Sequence, residues 1–125
     1  MHGVQRPLSP YWIYRWEITM WLSSLHRITG LLLSLGAVVL AAWLISLASG
    51  PDAFARLGAI VGATLFKPLL VGWTFCFFFH LANGVRHLAW DAGYGFDKKH
   101  IRASGWTVIL VTVAATALFS YSAIF

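Results

Sequence analysis

Two histidines, an asparagine, an arginine and an aspartate fall within His80-Leu-Ala-Asn-Gly-Val-Arg-His-Leu-Ala-Trp-Asp91, which closes an apolar run from Pro68 to Phe79. A charged side chain at the centre of a membrane helix costs roughly 2.5–3.5 kcal/mol on insertion scales, so polar groups persist there when they face protein, a cofactor or water. At 100° per residue, His80, Gly84, His87 and Asp91 lie within about 60° of one another, with Asn83 on the flank and Arg86 turned elsewhere. That face offers an imidazole, a glycine gap, a second imidazole and a carboxylate.

A neutral imidazole in a dry helical bundle is a good axial ligand for haem iron. His80 is the better candidate, being the deeper of the two by about 10 Å, and Gly84 leaves room for a flat macrocycle or a neighbouring backbone. His80 and His87 share one face, whereas two axial ligands approach an iron from opposite sides. The remaining histidine in a span is His26, which is expected to lie too near the membrane surface to match His80. A second ligand would then come from another subunit. A buried membrane histidine serves equally as a hydrogen-bonded structural group or a proton relay.

A second polar group, Ser23, His26 and Arg27, stands near the start of the first apolar run. Arg27, His26 and Arg86 could pair with haem propionates, since guanidinium matches carboxylate bidentately. Ser23 and Arg27 could instead hydrogen-bond a carbonyl oxygen of a lipid-soluble quinone, with Asp91 or His87 supplying protons. The plainer alternative has both arginines reaching to phosphates and Asp91 pairing with one of them.

The elements that must position these residues are membrane spans. The chain has 125 residues, 59% hydrophobic and 10% charged, with a mean hydropathy of +0.74; ordinary soluble domains are about 25% charged. No Asp, Glu, Lys or Arg occurs in Ile28–Pro51, Pro68–Val85 or Ala103–Phe125. About 20 apolar residues cross a bilayer as a helix, so an all-α integral membrane protein with spans near 22–47, 68–90 and 104–125 is the economical reading. A soluble three-helix bundle would need a polar outer face that these runs lack. The net charge of +5 does not point to nucleic acid, because the basic residues are scattered and flank spans. The single cysteine, Cys76, excludes a disulfide framework.

Residues 1–21 read as a cytoplasmic or interfacial lead-in to a single domain covering 1–125. Arg6, Pro7 and Pro10 make its beginning extended, and the Trp- and Tyr-rich stretch from Tyr11 to Trp21 suits the headgroup layer. In the first span Ser23, Arg27, Gly30, Ser34, Ala37 and Ala41 form a small and polar stripe suited to close helix packing, opposite Leu31, Leu35 and Val38. Gly50-Pro51-Asp52 signals a turn, and Asp97 to Arg102 a charged loop. Arg6, Arg15, Arg27, Arg86, Lys98, Lys99 and Arg102 fall on one side of the membrane and only Arg56 and Lys67 on the other, which predicts a cytoplasmic N-terminus. Neither a signal-peptide nor a transit-peptide pattern opens the chain, which favours a bacterial inner membrane over a mitochondrial one.

Ser23-Ser-Leu-His-Arg-Ile-Thr-Gly30 followed by His80-x-x-Asn-Gly-x-Arg-His-x-x-Trp-Asp91, with Arg6-Pro-Leu-Ser-Pro10 before the first span, resembles the cytochrome b556 membrane-anchor subunit of succinate dehydrogenase. The resemblance covers nearly the whole chain. It implies a three-helix anchor that shares one haem b with a second anchor subunit and docks a flavoprotein and an iron–sulfur subunit. It implies His80 as the haem iron ligand, His26 and Arg27 near the propionates, Ser23 and Arg27 at the ubiquinone site, and Asp91 near its proton path. A haem b anchor of the fumarate reductase type, or a non-catalytic membrane scaffold or transport subunit, is the alternative.

Overall fold

The structure is a computed structural model and describes residues 16–125. Four helices follow in order: α1 (Ile18–Ala48), α2 (Pro51–Val61), α3 (Lys67–Asp91) and α4 (Lys98–Ala123). Three of them, α1, α3 and α4, are long and apolar enough to cross a bilayer. At 1.5 Å per residue α1 measures about 46 Å, against a hydrocarbon core of about 30 Å, so its ends extend into the headgroup layers.

Helix α1 begins earlier than the hydropathy pattern implied. Ile18 to Trp21 belong to it, and the rings of Trp16 and Trp21 pack 4.9 Å apart at that end. The remainder of the predicted lead-in, residues 1–15, lies outside the described residues. Helix α2 was missed altogether. Gly50 adopts φ 105°, a conformation that favours glycine, and turns the chain so that Pro51 opens α2 with Asp52 in its first turn. The ring of Phe54 then meets Trp43 of α1 at 5.5 Å.

Helix α3 ends in a pair of backbone bonds, Tyr94 N–H to Ala89 O and Gly93 N–H to Trp90 O, with Gly93 at φ 87°. This glycine-capped ending satisfies carbonyls that would otherwise face the membrane edge unpaired. Helix α4 starts at Lys98, not Ser104, so most of the expected charged loop is helix. Charged residues propagate a solvated turn well, and Asp97, at the N-cap, bonds the Nδ1 of His100 at 2.9 Å.

Helix α3 lies between α1 and α4 and runs antiparallel to both. Leu22 of α1, Phe79 of α3 and Val108 of α4 form the core, with Ile18, Leu25, Phe75, Ala82 and Ile109 packed around them. Most other apolar side chains of the spans face outward, as they do when lipid or a partner subunit is the solvent.

Candidate functional site

The two polar groups seen in the sequence meet where α1 crosses α3. The rings of His26 and His80 stack with centroids 3.9 Å apart and planes within 8° of parallel. His87 stands 5.4 Å from His26 and 5.1 Å from Trp90. His26 therefore fills the space between the two imidazoles of α3. It faces Gly84, where an added Cβ would meet its Cε1 at 3.8 Å. The glycine gap holds an imidazole of this chain, not open room for a macrocycle.

This pairing corrects the expectation that His26 lies too near the surface to match His80: its ring lies against that of His80, between it and His87. The two rings lie face to face, so their nitrogens do not converge on one point from opposite sides.

His80 is held through one nitrogen. Its Nδ1 lies 3.2 Å from the carbonyl oxygen of His26 and 3.3 Å from the Oγ1 of Thr29. A carbonyl only accepts, so Nδ1 carries the proton and Nε2 keeps its lone pair. Nε2 finds no hydrogen-bond partner among the described residues. Gly30 is required here, because a Cβ on it would come within 3.0 Å of the Cε1 of His80. Two turns deeper the pattern repeats: Trp73 donates its Nε1 to Leu32 O at 3.1 Å, and a Cβ on Gly36 would stand 2.9 Å from that ring. The packing face of α1 thus runs through Leu22, His26, Thr29, Leu33 and Gly36. It lies about 100° around the helix from the predicted small stripe, with Gly30 at the margin of both. Ser34, Ala37 and Ala41 remain exposed.

Along the predicted polar face of α3, His80, Gly84 and His87 turn to α1. Arg86, expected to point elsewhere, turns to α4, and the flanking Asn83 is buried beside it. Arg86 is 5% exposed and donates from Nε to Ser104 Oγ at 2.9 Å and from Nη2 to Ile101 O at 3.2 Å, while its guanidinium lies 4.0 Å over the Trp90 ring. It neither reaches toward phosphates nor stands free for a propionate; it ties α3 to α4. Asp91 is exposed at the last turn of α3 and pairs with no described arginine, since the ion pair among described residues joins His100 to Asp97. Arg27 is exposed and Ser23 half-buried. Neither they nor Asp91 line either of two grooves among the described residues. One groove of about 400 Å³ lies between α1 and α4 among Ile18, Leu25, Ile28, Phe75 and Ile109, and a second of about 340 Å³ surrounds Trp73 and Phe77.

The donor set at His80 fits a haem: a half-buried imidazole with one nitrogen committed to protein acceptors and the other without a partner among the described residues. The Nδ1 of His26 is buried beside it without a partner among the described residues, as a group that meets a partner from outside the chain would be. Thr29 and Gly30 were not singled out from the sequence as ligand supports. Their positions two and three residues beyond Arg27 gave no sign of which α3 residue they would meet.

Fold and site together define a three-span membrane anchor with an imidazole cluster inside its helix pair. Residues 3–119 match the family described as succinate dehydrogenase/fumarate reductase transmembrane subunit. The chain is 38% identical over 115 residues to the succinate dehydrogenase cytochrome b556 subunit of Rickettsia felis, covering 91% of this chain and 90% of that one. It is 35% identical to the corresponding subunit of Paracoccus denitrificans, covering 90% and 88%. It is also 35% identical to the mitochondrial cytochrome b560 subunit of Sus scrofa, covering 91% and 69%. The chain belongs to the succinate dehydrogenase/fumarate reductase transmembrane-subunit family.

Proposed function

We propose that this chain is the haem b-binding anchor subunit of a succinate:quinone oxidoreductase. The observation that carries the reading is the Nδ1-tethered His80, whose Nε2 has no partner among the described residues inside a membrane span. His80 would hold the iron from one side, and a histidine of a second anchor subunit would hold it from the other. His26 and Arg27 would meet the propionates, the exposed guanidinium of Arg27 offering two parallel donors. When bound, the haem supplies a one-electron carrier between the two anchor subunits.

Ubiquinone would bind on the outward face of α1 at Ser23 and Arg27, against partner subunits. The Ser23 hydroxyl would donate to one quinone oxygen, and Arg27 would polarise it as negative charge develops during reduction. Asp91, exposed at the same membrane edge, would pass protons inward from water. Electrons would arrive from succinate through the flavoprotein and iron–sulfur subunits, and this chain alone would catalyse nothing. The relatives named as succinate dehydrogenase subunits favour this direction over fumarate reduction. The basic bias around the N-terminus and the Asp97–Arg102 segment favours a cytoplasmic N-terminus in a bacterial inner membrane.

Purification through a tag on this chain tests the reading. A flavoprotein, an iron–sulfur protein and a second anchor should co-purify with a b-type absorption spectrum. A colourless preparation that contains those partners would contradict it and leave a non-catalytic scaffold.

A further inference from the structure

We propose that Thr29 is a positioning residue for the ligating imidazole, fixing the tautomer and plane in which His80 meets the iron; this rests on the assignment of His80 made above. Three atoms form a closed triangle. The Thr29 hydroxyl lies 3.0 Å from the His26 carbonyl oxygen, which lies 3.2 Å from His80 Nδ1, which lies 3.3 Å from Thr29 Oγ1. The Thr29 proton is committed to the carbonyl, so toward Nδ1 its oxygen can only accept. Carbonyl and hydroxyl therefore require the same thing of the ring: a proton on Nδ1 and a lone pair on Nε2.

The support is rigid. Thr29 is 1% exposed, and its branched β-carbon restricts χ1. Gly30 lies against the edge of the His80 ring and His26 against its face. One turn of α1, residues 26–30, thus contacts the imidazole by hydrogen bond, edge and face. A ligating histidine whose second nitrogen donates to a fixed acceptor is a stronger donor to its metal, and loss of such a partner typically weakens metal binding 10–100-fold. The bland reading is that Thr29 merely bonds back to its own helix, as threonines in helices do. That reading predicts no effect on the haem beyond assembly.

The experiment uses the assembled complex with its partner subunits and compares wild type with Thr29→Val, Thr29→Ser and His80→Ala. Three properties are read: the midpoint potential of the b-type band, the electron paramagnetic resonance g-values of the ferric haem, and the rate of haem loss on mild heating. Thr29→Val should raise the potential, because a ring without its full set of acceptors stabilises ferric iron less. It should also shift the g-values and speed haem loss by about tenfold or more. Thr29→Ser, which keeps the hydroxyl, should match wild type in all three. Thr29→Val indistinguishable from wild type, or Thr29→Ser displaced as far as Thr29→Val, would overturn the proposal. Should Thr29→Val fail to assemble, Thr29→Ala removes the hydroxyl without adding a methyl and carries the same readings. A b-type signal that persists in His80→Ala overturns both the ligand assignment and the role of Thr29; its loss there with an unmoved Thr29→Val overturns the role of Thr29 alone.

Discussion

Helix α3 has two seams, and they solve the problem of polar groups in lipid in different ways. Toward α4, its charge is consumed internally. Arg86 spends its donors on Ser104 and Ile101 and stacks on Trp90. Among the described residues, Asn83 Nδ2 and the buried hydroxyls of Thr112, Thr116 and Ser120 in this seam have no hydrogen-bond partner, but none of them carries a charge. Toward α1, the polar atoms are only half satisfied. His80 is fixed by one nitrogen and free at the other, and His26 keeps a buried Nδ1 unpaired. The first seam spends its charge inside the chain; the second leaves a ring nitrogen of each of its two stacked histidines unspent among the described residues. Burial alone would have ranked Arg86 above His80 as a functional residue. The difference lies in which atoms remain unspent.

Substitutions can break this contrast, beginning with the largest effect. Gly30→Val places a side chain where a single Cβ already comes within 3.0 Å of His80. It should cost at least the 1–3 kcal/mol typical of overpacking and abolish haem retention, read as the b-type absorbance per assembled complex. Gly84→Ala, with 3.8 Å to the nearest ring atom, should retain it.

Arg86→Leu should lower the thermal stability of the complex by about 2–3 kcal/mol through the lost charge-assisted bonds, while the surviving complex keeps an unaltered haem spectrum. A changed spectrum would mean that the two seams are not independent. On the outward face of α1, Arg27→Ala should reduce quinone reductase activity about ten- to a hundredfold, the equivalent of one charged hydrogen bond. Ser23→Ala should reduce it less. Electron transfer from succinate to a water-soluble dye should persist in both. Thr116→Val should be the mildest, within about 1 kcal/mol of wild type in thermal unfolding, because its hydroxyl makes no bond to lose.

The sequence showed plainly what depends on composition and on single-helix geometry. Charge-free runs located the three spans, and the spacing of His80, Gly84 and His87 put them on one face, which the structure retains. What depends on how two helices slide past one another was not legible. His26 pairs with the Gly84 level and Thr29 with His80 because α1 and α3 meet in one antiparallel register, and no single sequence states that register. The same ignorance ran the predicted stripe from Gly30 on through Ser34, Ala37 and Ala41, when Gly36 against Trp73 continues the real packing face and only Gly30 belongs to both. Helix α2 and the first turns of α4 were missed for another reason: hydropathy marks what lipid covers, not where a helix starts. Gly50-Pro51-Asp52 signals a turn and a helix start alike, and only the structure shows the helix that follows.

The most direct test of this account is a reduced-minus-oxidised spectrum of the assembled complex carrying either His80→Ala or His87→Ala. The two imidazoles share a face and both lie close to His26, yet only His80 has its Nδ1 tied to α1. The account predicts loss of the b-type signal in His80→Ala and its retention in His87→Ala. Retention in His80→Ala, or loss in His87→Ala alone, would contradict it.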